Sequence, residues 1–364
     1  MNLHLAAVQL SKRLYSLYLI RHAESVQQNH LIHLLVGLAA LVVAMRLPYG
    51  AWRGWVPLAL AGCLVLLILV LIPGIGYQVG GARRWLRLGP ISFQPTELLK
   101  LVLVANAAYY LDRKRELVSQ FMRGVAPSLL VMAVFLTLVL LQPDFGTVVL
   151  IALSLMLMLF VGGGRPAHIL SGLAGFALIG TLLIVSQSYR MKRVLAFLDP
   201  WADRLDTGFQ IVQSYLAFGS GGWFGVGLGA SRQKMFFLPE AHTDFIFSIL
   251  GEEFGLVGTL TVIGLLAVFL WRGYAASLNG PDDFGKYLAF GITTLFAMQI
   301  TLNMAVVMGL LPTKGLPLPF ISYGGSSLVM SLFMTGILLN VGKRTELGDP
   351  AGPEGWAGRQ RPAP

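Results

Sequence analysis

Leu238-Pro-Glu-Ala-His-Thr-Asp-Phe-Ile-Phe-Ser-Ile-Leu-Gly-Glu-Glu-Phe-Gly255 opens polar, at Glu240, His242, Thr243 and Asp244, and then turns apolar. Apart from Glu252 and Glu253 it stays apolar to Trp271. This pattern reads as a loop descending into a membrane helix, with Asp244 at the water boundary. One role for Asp244 is ordinary: the first turn of a helix favours negative charge. The other is chemical, because a carboxylate at that boundary meets a lipid-borne substrate and water together.

The rest of the chain fits a membrane setting. Of its 364 residues 55% are hydrophobic and only 12% are charged, about half the charge of a soluble domain. Apolar runs of roughly 17–25 residues recur along its length, which defines an all-α polytopic integral membrane protein. No hydrophilic block is large enough to fold alone, so residues 1–344 form one domain. Residues 345–364, rich in Gly and Pro, read as a disordered cytoplasmic tail. Cys63 is the single cysteine and excludes an intrachain disulfide. The N-terminus lacks the usual form of a cleavable signal peptide. A net charge of +10 suits anionic head groups. No basic soluble module interleaved with aromatics points to nucleic acid.

Ten spans are expected. The first, at 3–20, is weak because Lys12 and Arg13 interrupt it. The others lie at 31–45, 56–73, 95–111, 125–141, 147–162, 169–185, 245–271, 287–308 and 326–342. Orientation follows the positive residues of the short loops. Arg46, Arg53, Arg113, Lys114, Arg115, Arg123, Arg165, Arg272, Lys286, Lys343 and Arg344 mark one side, against Arg21, Arg83, Arg84, Arg87 and Lys314 on the other. Both termini are therefore expected in the cytoplasm. A large extracytoplasmic loop, 186–243, is expected between helices 7 and 8. Within it Phe209–Gly219 has helical apolar spacing suited to the membrane surface. The run Gly219–Gly229 is too glycine-rich for a helix and reads as a loop backing closely onto another element.

Cations on the outer side run against that bias. Arg83, Arg84 and Arg87, then Arg190, Lys192 and Arg193, then Arg232 and Lys234, and finally Lys314 either solvate loops and pair with Asp199, Asp203 and Asp206, or meet an anionic ligand. Lys100 falls about 7 Å into the helix that starts at Pro95. A charge there faces a cavity or a partner, and Glu97 lies three residues earlier on the same face. Glu252 and Glu253 are expected to face the bundle interior, as structural pairs or as part of a polar cleft. His242 and Asp244 alone make no metal site. A divalent cation, Mg or Mn, shared with a diphosphate is the candidate cofactor.

Three segments together resemble the SEDS family, the shape, elongation, division and sporulation proteins. They are Arg84-Trp-Leu-Arg-Leu-Gly-Pro-Ile-Ser-Phe-Gln-Pro-Thr-Glu-Leu-Leu-Lys100, Leu238-Pro-Glu-Ala-His-Thr-Asp-Phe-Ile-Phe247 and Leu316-Pro-Leu-Pro-Phe-Ile-Ser-Tyr-Gly-Gly-Ser-Ser327. Phe197-Leu-Asp-Pro200 and Gln142-Pro-Asp-Phe-Gly146 fit as well. The resemblance covers about residues 30–343, with five motifs in the family's order. Ser231-Arg-Gln-Lys234, Thr313-Lys-Gly-Leu-Pro317 and Gly225-Val-Gly-Leu-Gly229 are closer to the division branch, FtsW, than to the elongation branch, RodA. The interrupted first span departs from the family's clean apolar helix.

The resemblance implies ten transmembrane helices and a peptidoglycan glycosyltransferase that polymerises lipid II in the bacterial cytoplasmic membrane, at the division septum. It implies a class B penicillin-binding protein as partner, beside other divisome or elongasome membrane proteins. Asp244 takes the role of essential carboxylate. Arg84, Trp85, Lys100 and Lys314 match positions around the substrate cavity, and Gln94, Glu97, Arg232, Lys234, His242 and Ser322 are further candidate substrate contacts. The donor sugar leaves on a diphosphate, a good leaving group, so one base is enough. Arg84, Lys100 and Lys314 are expected to converge on that diphosphate. The loop aromatics Trp201, Tyr215, Trp223, Phe236 and Phe237 are expected at the partner interface. A transporter flipping the same lipid-linked precursor is the rival class, favoured by intramembrane charge but not by any visible internal repeat. A non-catalytic divisome scaffold is the third.

Overall fold

The computed structural model describes residues 30–79, 81–89, 91–233, 238–240 and 242–347. Nine expected spans each coincide with a helix: α1 (His30–Arg46), α2 (Gly50–Leu71), α3 (Pro95–Lys114), α4 (Ala126–Leu141), α5 (Phe145–Val161), α6 (Pro166–Val185), α9 (Ile246–Leu278), α10 (Asp283–Val307) and α11 (Gly325–Leu347). The span at 3–20 lies outside the described residues, as does most of the tail. Among the described residues six helices are long and apolar enough to cross a membrane: α2, α4 with the π-turn before it, α6, α9, α10 and α11. The chain is an integral membrane protein.

Local chemistry sets several boundaries. Pro95 and Pro166 open α3 and α6, where a missing N–H costs nothing. Asp144 caps α5 by accepting from the Thr147 amide, and Asp282 caps α10 through Gly285. Helices α3, α5 and α10 form the centre of the bundle, with Leu99, Leu103, Ile151, Met158, Ile292 and Phe296 buried. Helix α6 is exposed along nearly its whole length.

The expectation of an all-α fold needs one correction. Residues 76–93 form a three-stranded antiparallel sheet: β1 (Gly76–Val79), β2 (Ala82–Leu88) and β3 (Ile91–Phe93). The first register pairs Val79 with Ala82, and Gly81 turns the chain at φ +81°. Gly80-Gly81 is a two-residue hairpin signal that the loop reading passed over.

The long connection 186–243 is likewise not structureless. It holds α7 (Ser188–Leu198) and α8 (Phe209–Gly221). Helix α8 does more than lie on a surface. It buries Ile211, Val212 and Ala217, and Phe218 stacks edge-on against Phe247 of α9. Tyr215, expected at a partner interface, is half-buried and packs against Gly309.

Helix α9 is broken at Gly255, which has φ 65° and ψ −161°. Two helical bonds are lost there, from Leu256 to Glu252 and from Val257 to Glu253. The glycine-rich loop replaces both. Val226 and Gly227 donate to the Glu252 and Glu253 carbonyls at 2.9 and 3.1 Å, while Leu256 and Val257 donate to Gly222 and Trp223 at 2.9 and 3.1 Å. The close backing expected of Gly219–Gly229 is therefore a backbone crossing. A Cβ on Gly225 would lie 2.1 Å from the Glu253 carbonyl oxygen. The side chains of Glu252 and Glu253 hold the next stretch of the same loop. Glu252 accepts from the Ser231 hydroxyl and from the Arg232 and Gln233 amides, and Glu253 accepts from the Ser231 amide.

The two ends of the bundle differ. One end carries the ion pairs of Arg53 with Asp112 and Asp282 and of Arg115 with Asp283. The sheet, the Gln142–Asp144 turn, α7, Asp244 and residues 312–323 gather at the other.

Candidate functional site

At that second end a cavity of about 140 Å³ opens between five separate pieces of chain. Strand β2 contributes Arg84, the α4–α5 turn Asp144 and Phe145, helix α6 Ile184, helix α7 Arg190 and Arg193, and the α10–α11 connection Lys314 and Gly315. Arg84 spans the sheet and the turn. Its Nε donates to the Gln142 carbonyl at 2.9 Å, Nη2 donates to the Pro143 carbonyl, and Nη1 lies 4.0 Å from the Asp144 carboxylate. Arg193 donates to the Thr313 carbonyl at 3.2 Å. The Lys314 ammonium lies over the Phe145 ring, 5.2 Å from its centre, and burial lowers its pKa.

Asp244 stands behind Gly315. A Cβ at Gly315 would sit 3.1 Å from Asp244 Oδ2, so the lack of a side chain there brings the carboxylate up to the cavity wall. Burial raises the Asp244 pKa to about 7, helped by the charges of Glu240 and Asp144 and opposed by Arg84 and Arg193. The polypeptide around Asp244 is irregular and is held by side chains. Asn303 of α10 donates to the Asp244 carbonyl at 2.8 Å, Ser322 donates to the Thr243 carbonyl, and the Tyr323 amide donates to the His242 carbonyl at 2.8 Å.

A second, larger cavity of about 450 Å³ adjoins the first and shares Arg193 and Thr313 with it. Lys192, Asp206, Thr207, Phe209, Gln210 and Pro239 also line it.

Asp244, Arg84 and Lys314 thus come together from distant sequence. Other candidates stand elsewhere. Trp85 is half-buried in β2, opposite Tyr77. Gln94 precedes α3 and donates its amide to Ser326 Oγ at 3.1 Å. Glu97 and Lys100 are buried in α3 as an ion pair of 2.8 Å, and Lys100 donates to Gln299 at 3.2 Å, away from the cavity wall. Ser322 acts through its hydroxyl as a brace, also accepting from the Leu318 amide at 2.7 Å. The His242 and Arg232 side chains are exposed, and Lys234 lies outside the described residues. Asp144, Arg190 and Arg193 were not among the candidate site residues, though Asp144 lies in the quoted Gln142–Gly146 motif and both arginines belong to the outer cations.

A bundle that gathers four cations and one carboxylate at one end over a membrane core defines an integral membrane protein with a polar site at that end. The family model for the FtsW, RodA and SpoVE cell cycle proteins matches residues 3–347, and this chain belongs to that family. It is 50% identical over 313 residues to a probable peptidoglycan glycosyltransferase FtsW of Geobacter metallireducens, covering 86% of this chain and 84% of the relative. It is 45% identical over 313 residues to the stage V sporulation protein E of Bacillus subtilis, covering 85% and 84%. Among solved structures, a chain of a peptidoglycan synthase complex that coordinates polymerization and crosslinking superposes with a TM-score of 0.75 at 30% identity, over 88% of this chain and 90% of that one. The rod shape determining protein RodA of Thermus thermophilus superposes with a TM-score of 0.65 at 29% identity, over 87% of each chain.

Proposed function

We propose that this chain is a peptidoglycan glycosyltransferase of cell division, polymerising lipid II on the outer face of the bacterial cytoplasmic membrane. One observation carries the reading: the Asp244 carboxylate, with its pKa raised to about 7, is set by Gly315 against a cavity lined by Arg84, Arg190, Arg193 and Lys314. A base titrating near the working pH combines the right protonation state with useful basicity. Asp244 accepts the proton of the acceptor sugar's 4-hydroxyl as that oxygen attacks the donor's anomeric carbon. The bond from that carbon to the diphosphate breaks, and the polyprenyl diphosphate leaves with the electron pair. Direct attack inverts the anomeric centre, from α in the lipid to β in the glycan. The four cations stabilise charge growing on the diphosphate. The adjoining chamber offers room for the second saccharide.

Among the described residues no three His, Cys, Asp or Glu side chains cluster to hold an ion. A divalent cation would therefore share Asp144 or Asp244 with diphosphate oxygens, adding Lewis-acid stabilisation of the leaving group.

The reading includes ten membrane helices with both termini in the cytoplasm. The end bearing Arg53, Arg115 and the short basic loops is then cytoplasmic, and the cavity faces outward. A class B penicillin-binding protein supplies cross-linking beside it. The exposed Trp201 and Trp223 are candidate contacts for that partner.

The test is incubation of the purified full-length chain with lipid II, alone and with its penicillin-binding partner, followed by glycan analysis. Strands formed by wild type and not by Asp244→Asn support the reading. Movement of lipid II across vesicles without strand formation replaces it with transport.

A further inference from the structure

We propose that Asn303 is a positioning residue that sets the base Asp244 relative to the Lys314 segment; this rests on the reading of Asp244 as the base. Asn303 lies in α10 and is 2% exposed. Its Nδ2 donates to two carbonyls at once, those of Asp244 at 2.8 Å and Leu316 at 2.7 Å. Both partners only accept, so the orientation of the amide is fixed by its neighbours. Its Oδ1 is buried with no hydrogen-bond partner among the described residues. A dry, unpartnered acceptor is costly. What the side chain supplies there, against that cost, is its two N–H groups.

The two segments it joins have no hydrogen-bond ladder of their own. Residues 242–245 and 308–324 are irregular and carry the base and the cation respectively. Ser322 and Tyr323 bind the second segment to the first, but both belong to an irregular connection rather than to a helix. Asn303 binds both segments to α10, the most enclosed of the apolar helices. Four residues earlier on the same face, Gln299 donates to the Pro317 carbonyl at 2.8 Å and accepts from Lys100. Lys100 is held in turn by Glu97. A polar line therefore runs from α3 through α10 to the Lys314 segment, and Asn303 is its branch to the base. A misplacement of about 1 Å at a reacting group costs roughly 10²-fold in rate.

The experiment compares Asn303→Leu with Asn340→Leu in full-length chain in membranes, using lipid II. Asn340 is the matched control. It is also a buried bridging amide, accepting from the Tyr49 amide at 3.0 Å and donating to the Met45 carbonyl, but at the opposite end of the bundle. Asn303→Leu is expected to lower kcat about 10- to 100-fold with KM within about twofold. The acidic limb of its pH–rate profile moves below that of wild type, because a loosened Asp244 gains water. Asn340→Leu loses stability and keeps both kcat and the limb. Asn303→Ser retains one donor and serves if the leucine variant does not accumulate; it is expected to shift both readouts in the same direction by less. Active wild type with unchanged kcat and limb in an accumulating Asn303 variant overturns this inference alone. Inactive wild type overturns the base reading, and this inference with it.

Discussion

Arg84 donates from Nε to the carbonyl of Gln142 at 2.9 Å, joining strand β2 to the turn before α5. The same guanidinium reaches the Pro143 carbonyl and lies near the Asp144 carboxylate. A planar fork can hold this turn and still face an anion in the cavity, and an ammonium cannot do both.

Arg84→Lys therefore keeps the charge and loses the geometry. Hydrogen bonds to charged groups are worth about 1.5–3 kcal/mol each. Loss of one predicts a fall in kcat/KM of roughly 10- to 100-fold, at about 1.4 kcal/mol per tenfold. Polymerisation kinetics measure it directly. Wild-type kinetics in Arg84→Lys would mean that charge alone matters at this position.

The raised pKa of Asp244 gives two pH signatures. A base must be deprotonated, so wild-type kcat rises with pH up to about 7 and levels above it. Asp244→Asn lowers polymerisation by about 10²- to 10⁴-fold. Stability runs the other way. The folded chain holds the proton more tightly than the unfolded chain, whose Asp titrates near 3.8. The stabilising contribution is full below 3.8 and is lost as pH rises through about 7. Asp244→Asn lacks this loss, so its thermal midpoint should gain on wild type as pH rises from 3.8 to about 7 and hold that gain above it. A difference that does not change with pH would place the Asp244 pKa at its ordinary value.

Glu97 and Lys100 make a separable case. Each is almost fully buried, and the pair is 2.8 Å apart. Removing one partner of a buried pair costs about 3–5 kcal/mol, whereas replacing both is often neutral. Lys100→Met should therefore destabilise the fold strongly. The double change Glu97→Gln with Lys100→Met should recover most of that stability and a measurable part of the activity. A stable but inactive double variant would give Lys100 a role beyond the ion pair, on substrate or through Gln299 and the Lys314 segment.

Much of this was legible in the sequence, for stated physical reasons. Apolar runs of membrane length gave nine helix positions, because backbone groups in lipid have few other solutions. Arg84 and Lys314 stood out because they run against the expected charge bias of the short loops, and Asp244 because it sits where the chain turns from polar to apolar. The charge on Lys100 stood out as well, but burial charge alone does not separate a ligand contact from an ion pair. The sheet was obscured because Arg83, Arg84 and Arg87 mask strand alternation beside the Gly80-Gly81 turn. Helix α7 was obscured by its mixed charged and apolar composition. Asp144, Arg190 and Arg193 reach the cavity only through the packing of α5 and α7, which no local pattern states.

The break at Gly255 was also hidden, since no proline marks it and Glu252 and Glu253 read as inward-facing helix residues rather than as the sign of a break. It gives the last prediction. A Cβ at Gly255 would lie 2.4 Å from the Gly225 nitrogen and 2.6 Å from the Trp223 carbonyl carbon, at φ +65°. Backbone atoms cannot give way as a flexible side chain can. Overpacking costs about 1–3 kcal/mol, and a disfavoured backbone conformation about 1–3 kcal/mol more. Gly255→Ala should therefore lower the thermal midpoint and the yield of folded chain, and loosen the crossing that secures residues 222–227. Gly264→Ala in the same helix is the comparison, because nothing lies within 4 Å of its Cβ. Alanine there should be neutral or stabilising by up to about 1 kcal/mol. Equal midpoints for the two variants would show that α9 runs through Gly255 as an unbroken helix, with its own Leu256-to-Glu252 and Val257-to-Glu253 bonds restored.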